Sequence, residues 1–307
     1  MKYATLPAKE LFKLYTGTGA PPESCLPVQR GDKGRYLADA RLVSAVHTAV
    51  ALERPLLVTG EPGTGKTLLA WSVASELGLG EVLEFHTRSD HQAKDALYSF
   101  DHVRRFYDAQ TQQAAAMDPN NYIKLNALGE AIASAARRVI LIDEIDKAPR
   151  DFPNDLLDEI DRMEFTVAET RQKYAAEYRP VVVITSNSER QLPEPFLRRC
   201  VFHCIEFPER EQLIRILRER IDAELSAPMI EAALLRFHQL RELGTRGELE
   251  KKPATDELIA WVRVLLLAGV DPAKVQASDL GSLPYVGALL KTQFDLKILA
   301  RYRGQEP

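Results

Sequence analysis

The pattern of apolar positions changes character near Pro208. Before it, short continuous apolar runs recur: Pro55-Leu56-Leu57-Val58-Thr59, then residues 82–87, Val139-Ile140-Leu141-Ile142, Val181-Val182-Val183-Ile184-Thr185 and residues 200–207. Runs of this length that do not alternate with polar residues predict strands covered on both faces, as in a parallel sheet between layers of helices. After Pro208 the spacing is helical throughout. Leu213, Ile216, Leu217 and Ile221 define one apolar face, Ile230, Ala233, Leu234 and Phe237 a second, and Leu258, Trp261, Val262, Leu265 and Leu266 a third. A final helix is expected over residues 283–300. The shift divides the chain into a lead-in over residues 1–35, an α/β domain over 36–207 and an all-helical domain over 208–307.

Within the lead-in only the stretch around Leu11 reads as helix. The glycines and prolines of Gly17-Thr18-Gly19-Ala20-Pro21-Pro22 and Gly31-Asp32-Lys33-Gly34 predict an extended or loosely packed segment. Asp39 is placed to cap a helix carrying Leu42, Val43, Val46, Ala49 and Val50. Residues 88–138 read as mostly helical, with Ala93, Leu97 and the pair Phe106-Tyr107 on one part and Leu125, Leu128, Ala131 and Ile132 on another. Met117-Asp118-Pro119-Asn120-Asn121 breaks them with a loop or insertion. Residues 152–163 predict a further helix with Leu156, Leu157 and Ile160 inward, and Glu164 opens a hairpin that returns near Tyr178.

Two stretches carry chemistry. Gly60-Glu61-Pro62-Gly63-Thr64-Gly65-Lys66-Thr67 matches G-x-x-x-x-G-K-[ST] at every fixed position, between an apolar strand and a helix that begins at Leu68 and stops at Gly78. A polyphosphate is wrapped closely by backbone N–H groups, so the loop needs Gly60, Gly63 and Gly65 where a Cβ would obstruct or φ is positive. The following helix aims its free N–H groups at the same anion. Lys66 is then the cation for the β- and γ-phosphates and the Thr67 hydroxyl a Mg²⁺ ligand. In the second stretch the strand Val139-Ile140-Leu141-Ile142 ends abruptly in Asp143-Glu144-Ile145-Asp146. Ligands in open α/β sheets bind at the carboxyl ends of strands, so these acids are expected beside the phosphates. Asp143 suits Mg²⁺ and Glu144 suits a base that polarises the attacking water. Asp146 reads as a helix-start or solvated acid.

These stretches resemble the Walker A and Walker B motifs, and Thr185-Ser186-Asn187 at the end of the next strand resembles sensor 1 of AAA+ ATPases. Leu192-Pro193-Glu194-Pro195-Phe196-Leu197-Arg198-Arg199-Cys200 is similar to the arginine-finger segment. The insertion before the Walker B strand and the hairpin before sensor 1 resemble the MoxR group most. The likeness covers residues 36–270. It implies a P-loop NTPase fold, a three-layer α/β/α parallel sheet followed by an all-α AAA+ lid. It also implies ATP and Mg²⁺ as ligands, with residues 60–68, Leu68 included, and Asp143 around the nucleotide and Thr67 and Asp143 on the metal. By the same likeness Asn187 positions the attacking water or touches the γ-phosphate, and one of Arg198 and Arg199 completes a neighbour's site in a homo-oligomeric ring, commonly a hexamer. The chain departs from the family at sensor 2, where Glu250-Lys251-Lys252-Pro253 stands in place of an arginine. Lys252 is one source of that cation. Lys251 and Lys252 read equally well as solvated residues leading into a helix.

Composition narrows the function classes. At 307 residues and 45% hydrophobic content the chain can bury a substantial core. A net charge of −4 offers no bulk attraction to nucleic acid or acidic lipid. The N-terminus carries no apolar targeting region, no run is long enough to cross a bilayer, and three cysteines, Cys25, Cys200 and Cys204, suit a reducing compartment, so a cytoplasmic protein is expected. Cys200, His203 and Cys204 do not share one face of a strand and read as core rather than metal ligands. His86, His91 and His102 lack metal-site spacing. Arg88, Lys94, Arg104 and Arg105, interleaved with Tyr98, Phe106 and Tyr107, read as mixed solvated and buried faces, with a ligand-facing surface as the competing reading. The expected function is ATP-driven, chaperone-like remodelling or activation of a partner protein. For the MoxR group that partner is often a von Willebrand factor A domain protein. A nucleotide-gated scaffold with slow turnover and, less in keeping with the acidic charge, a nucleic-acid motor are the alternatives.

Overall fold

The fold is described from a computed structural model, over residues 4–11, 14–18, 36–111, 118–187, 189–221 and 225–304. The chain forms two compact units: residues 1–60 with 65–205, and residues 206–307, with which Glu61–Thr64 group.

The first unit opens with α1 (Ala8–Leu11) and α2 (Ala40–Leu52), the latter capped by Asp39, whose side chain accepts from the Leu42 N–H at 2.7 Å. Then follow β1 (Leu56–Gly60), α3 (Lys66–Glu76) and β2 (Leu83–His86). The next stretch holds α4 (Lys94–Leu97), β3 (Tyr98–Phe100), α5 (His102–Gln110), β4 (Ile123–Leu125) and α6 (Ala127–Ala133). After β5 (Val139–Asp143) come α7 (Phe152–Asp155), α8 (Leu157–Arg162) and the hairpin of β6 (Glu164–Thr166) and β7 (Lys173–Ala175). β8 (Val181–Ser186), α9 (Glu194–Leu197) and β9 (Val201–Ile205) complete it.

Five strands form one parallel sheet in the order β2-β5-β8-β1-β9. Its burial explains the continuous apolar runs. Leu56, Val58, Val139, Leu141, Val181 and Val183 pack into the layer of α1, α2 and α3, while Leu57, Ile140, Ile142, Val182 and Ile184 pack with Ala96, Leu128, Phe152 and Ile160 on the other face. The three central strands β1, β5 and β8 therefore supply apolar side chains to both layers and leave no place for a period-2 pattern, whereas the edge strand β9 alternates half-buried and exposed positions.

Several expectations are corrected. Residues 4–11 and 14–18 are no loose lead-in: Ala4, Leu11 and Tyr15 are buried, and the Glu76 carboxylate accepts from the backbone N–H groups of Thr16 and Gly17 at 2.6 and 3.0 Å. The Gly/Pro-rich stretch over residues 19–34, with Cys25, lies outside the described residues, as does Met117. Residues 88–138 contain an antiparallel pair, β3 with β4, where helices broken by a loop or insertion were expected. Phe106 and Tyr107 of α5 face water at 66% and 62% exposure. The buried member of that helix is Asp108, which accepts from the Tyr122 hydroxyl at 2.8 Å. The helix expected over residues 152–163 is two, α7 and α8, divided at Leu156. On β9, Phe202 and Cys204 are exposed, so the core reading holds for Cys200, packed against the sheet, and not for Cys204.

The second unit contains α10 (Arg210–Arg220), α11 (Ala227–Thr245), α12 (Thr255–Leu267), α13 (Pro272–Ala277) and α14 (Gln293–Leu299). The three predicted apolar faces meet around Trp261, which is fully buried and donates from its indole N–H to the Pro284 carbonyl at 2.8 Å. The long final helix is absent. Two 3₁₀ turns, Leu280–Ser282 and Val286–Ala288, precede the short α14, and a Cβ on Gly281 would sit 2.7 Å from the Arg303 backbone nitrogen.

Candidate nucleotide site

Strand β1 delivers the chain to Gly60 and α3 departs from Lys66. Gly63 and Gly65 stand between them in the left-handed region, at φ 73° and 84°, where a side chain would be strained. The tight approach at Gly65 has a second cause, since a Cβ there would meet the Tyr36 ring at 3.1 Å. Sequence reading passed over Tyr36, and burial pushes its phenol pKa well up. Lys66 is 7% exposed and its ammonium donates to the Gly60 carbonyl at 2.8 Å. Burial lowers its pKa, and the negative charges of Asp146, Asp143 and Glu144 pull it back up. Those acids at the end of β5 are thus electrostatically in touch with the phosphate-loop lysine. In the loop itself the Thr64 hydroxyl closes on the Glu61 carbonyl at 2.8 Å.

Asp143 is the most thoroughly held of the acids. Its Oδ1 accepts from the hydroxyls of Thr67 at 3.1 Å and Thr185 at 2.6 Å, and its backbone carbonyl accepts from the Thr87 N–H and hydroxyl at 3.1 and 3.0 Å. The Oδ2 atom lies 3.3 Å from Nδ1 of His86, whose Nε2 is 3.0 Å from Glu84, and Glu84 in turn accepts from the Trp71 indole at 2.9 Å. His86 is the last residue of β2. The next residue, Glu144, takes the left-handed conformation at φ 56° and ψ 50°. Its N–H donates to Thr185 Oγ1 at 2.8 Å and its carbonyl accepts from Thr87 Oγ1. Its carboxylate meets the Lys147 ammonium at 2.5 Å and the Asn187 side-chain amide at 3.2 Å. Asp146 is not solvated: it is 3% exposed, and its carboxylate receives the backbone N–H groups of Asn187 at 3.2 Å and Glu189 at 3.0 Å. Asp143, Glu144, Asn187, Lys66 and Thr67 are therefore brought together. Thr87 and Asp146 complete the cluster through long-range contacts that no local motif announces, and Lys147 joins it through a contact to Glu144 three residues back.

The arginine pair lies at the end of α9 and is held by its own unit. Arg198, 76% exposed in its side chain, pairs with Glu194, while Arg199 pairs with Asp161 and donates to the Pro195 carbonyl at 3.0 Å. In the second unit Lys252 lies 3.9 Å from the Glu61 carboxylate, but the closer cation is Arg241. Its guanidinium donates to Glu61 at 2.7 Å and to the Pro253 carbonyl at 2.7 Å, and stacks 3.3 Å above the Phe207 ring. No cluster of three or more His, Cys, Asp and Glu that could hold a metal ion occurs among the described residues.

A glycine-rich loop leading from a strand into a helix, beside a neighbouring strand that ends in a buried carboxylate, can hold a polyphosphate and the cation that accompanies it. With the parallel sheet this defines a P-loop nucleoside triphosphatase. A profile of the ATPase family associated with various cellular activities, AAA, matches residues 56–209, half of the chain, and the chain belongs to that family of ATPases. Among solved structures it is similar to NtrX from Brucella abortus in complex with ATP, at 15% identity and a TM-score of 0.49. That match covers 90% of this chain and 59% of NtrX. It is also similar to the AAA domain of FIGL-1 in complex with ADP, at 18% identity and a TM-score of 0.38, over 83% of this chain and 73% of that domain. No curated protein matches the sequence. Among the described residues no helix is long and apolar enough to cross a membrane.

Proposed function

We infer that the chain is a MoxR-like AAA+ ATPase that couples ATP hydrolysis to remodelling or activating a partner protein, and that it works as a homo-oligomeric ring in the cytoplasm. The hydrolytic part of this reading is carried by one observation: Glu144 and Asn187 stand side by side next to an Asp143 already bonded to Thr67. Lys66 is the residue to meet the β- and γ-phosphates. Thr67 and Asp143 offer hard oxygen atoms within hydrogen-bond distance of each other at the start of the phosphate helix, a donor pair that fits Mg²⁺. A bound Mg²⁺ would neutralise phosphate charge there. Glu144 then takes the proton of the attacking water and Asn187 orients that water or the γ-phosphate.

Support for the MoxR assignment comes from two insertions into the sheet domain, the β3–β4 pair before β5 and the β6–β7 hairpin before β8. A protein partner is favoured over nucleic acid by the net charge of −4 and by the exposed Val103, Phe106 and Tyr107 of α5. The slow, nucleotide-gated scaffold keeps one observation of its own: both oxygens of Glu144 are engaged by protein donors.

The test is capture of partners by Glu144→Gln protein loaded with ATP, with Lys66→Ala protein as control, followed by ATP turnover with the purified partner. A captured protein that raises wild-type turnover supports the remodeller. Turnover unmoved by every captured partner favours the scaffold, and a nucleic acid that binds with steep salt dependence and stimulates turnover would overturn the reading.

A further inference from the structure

We propose that Lys147 is a positioning residue that restrains Glu144, and that hydrolysis begins only after this ion pair has parted. The inference rests on the reading of Glu144 as the base. A base must present a carboxylate lone pair to water. Here one oxygen of Glu144 faces the Lys147 ammonium at 2.5 Å and the other the Asn187 amide at 3.2 Å.

The backbone leaves the side chain as the movable part. Thr185 and Thr87 bind the N–H and carbonyl of Glu144 from two other strands' ends, which holds its left-handed conformation. Ile145–Lys147 is a 3₁₀ turn, closed by the Lys147 N–H on the Glu144 carbonyl at 2.9 Å. The turn follows directly on Glu144 and brings Lys147, three residues along, back beside its carboxylate. The hydrogen bond to Glu144 raises the Lys147 pKa, burial opposing it, so the lysine stays charged through the neutral range and the restraint is not a pH switch there. It is nevertheless breakable, because the two side chains are 46% and 38% exposed and pairs of that kind are weak. Glu189 also acts on the Lys147 charge, and its backbone N–H is held by Asp146 on the loop that carries Asn187. That loop therefore presents Lys147 with a second carboxylate as the pair opens.

The experiment measures ATP turnover and KM for Lys147→Met, Lys147→Arg, Glu144→Gln and the double variant Lys147→Met/Glu144→Gln. Release of a weak pair predicts a rise in kcat of about 2- to 5-fold for Lys147→Met, with KM for ATP unchanged. Lys147→Arg keeps the charge and the restraint, so its kcat stays near that of wild type. The double variant must be as inactive as Glu144→Gln alone, because a restraint on an absent base has nothing to release. A lower or unchanged kcat in Lys147→Met while Glu144→Gln is inactive overturns the restraint and leaves the base in place. Wild-type turnover in Glu144→Gln overturns both. A purely structural role for Lys147 would lower kcat or stability in Lys147→Met and would not be confined to backgrounds that keep Glu144.

Discussion

Asp143 is 9% exposed and shares its carboxylate among Thr67, Thr185 and His86, whereas Arg198 leaves 76% of its side chain in water and is held by one acid on its own helical turn. The proposed reaction uses both regions, yet they are built in opposite ways. The carboxylate end is assembled by the ends of β2, β5 and β8 with the start of α3, all parts of one unit, and is preorganised. The arginine end is parked: a surface i,i+4 pair such as Glu194 with Arg198 is worth on the order of 0.3–0.5 kcal/mol and gives way readily to a more charged partner. The difference teaches that the carboxylate half is finished within one chain while the arginine half is held by surface pairs; in the proposed ring that second, waiting half would be completed by another copy.

The largest effects should follow from damage to the finished half. Lys66→Ala is expected to abolish ATP binding in calorimetry. Because burial depresses the Lys66 pKa, the fold disfavours that charge, so the apo protein should keep its Tm. Parallel loss of binding and Tm would mean that Lys66 is structural. Next comes Glu144→Gln, which keeps size and hydrogen bonding but removes the proton acceptor. Turnover should fall by about 10²- to 10⁴-fold while ATP stays bound. Full turnover would move the base elsewhere.

Much of the finished half was legible beforehand, and for a physical reason. Strands buried on both faces must be apolar at every position, so β1, β5 and β8 announce themselves, and the phosphate loop must spend glycines at left-handed positions such as Gly63 and Gly65. What could not be read was whatever depends on contacts between distant residues. Thr87 and Asp146 look like ordinary polar residues until the fold sets one on the Glu144 carbonyl and the other on the N–H groups of Asn187 and Glu189. Helix α5 is turned against its own hydrophobicity, since Asp108 is satisfied inside by Tyr122 while Phe106 and Tyr107 stay outside. In the second unit the final helix failed where Pro284 carries the carbonyl that Trp261 needs and Gly281 lets Arg303 approach. Nor does sequence spacing reveal that Arg241, on an earlier helix, makes a shorter contact with Glu61 than Lys252 does.

Damage to the waiting half should be milder and should depend on assembly. Arg198→Ala/Arg199→Ala protein is expected to bind ATP normally and to lose turnover by about 10- to 1,000-fold, within the range attributed to such fingers or below it. Mixing it with Lys66→Ala protein should restore part of the activity, because interfaces that pair an intact arginine with an intact phosphate loop reappear. Mixed rings that form, by mass measurement, and stay inactive would count against trans catalysis. A smaller effect again is expected from charge reversal at Arg104 and Arg105, whose guanidinia lie 5.8 Å from the rings of Tyr122 and Phe100. Partner-stimulated turnover should change a few-fold with basal ATP binding intact, and a solvated face would show no change with any partner.

The smallest effect concerns no activity at all and tests the contrast between buried and exposed chemistry on one strand. Cys200 and Cys204 lie just before and within β9, but Cys200 packs against the sheet and Cys204 is exposed. Burial first, and then the Asp161 charge, push the Cys200 thiol from 9.0 to about 12. At pH 8 it should therefore carry about a thousandfold less thiolate than an unperturbed thiol, and only the thiolate attacks an alkylating reagent. In a Cys25→Ser background, iodoacetamide should label Cys204 promptly and Cys200 hardly at all, as read by peptide mass spectrometry. The Cys200 rate should rise about tenfold per pH step below pH 12, since the thiolate fraction grows by that factor while the thiol predominates. Equal labelling of the two at pH 8 would show that the β9 edge opens in solution. The arginine end, one residue away at Arg199, would then be less firmly placed than its bonds to Asp161 and Pro195 imply.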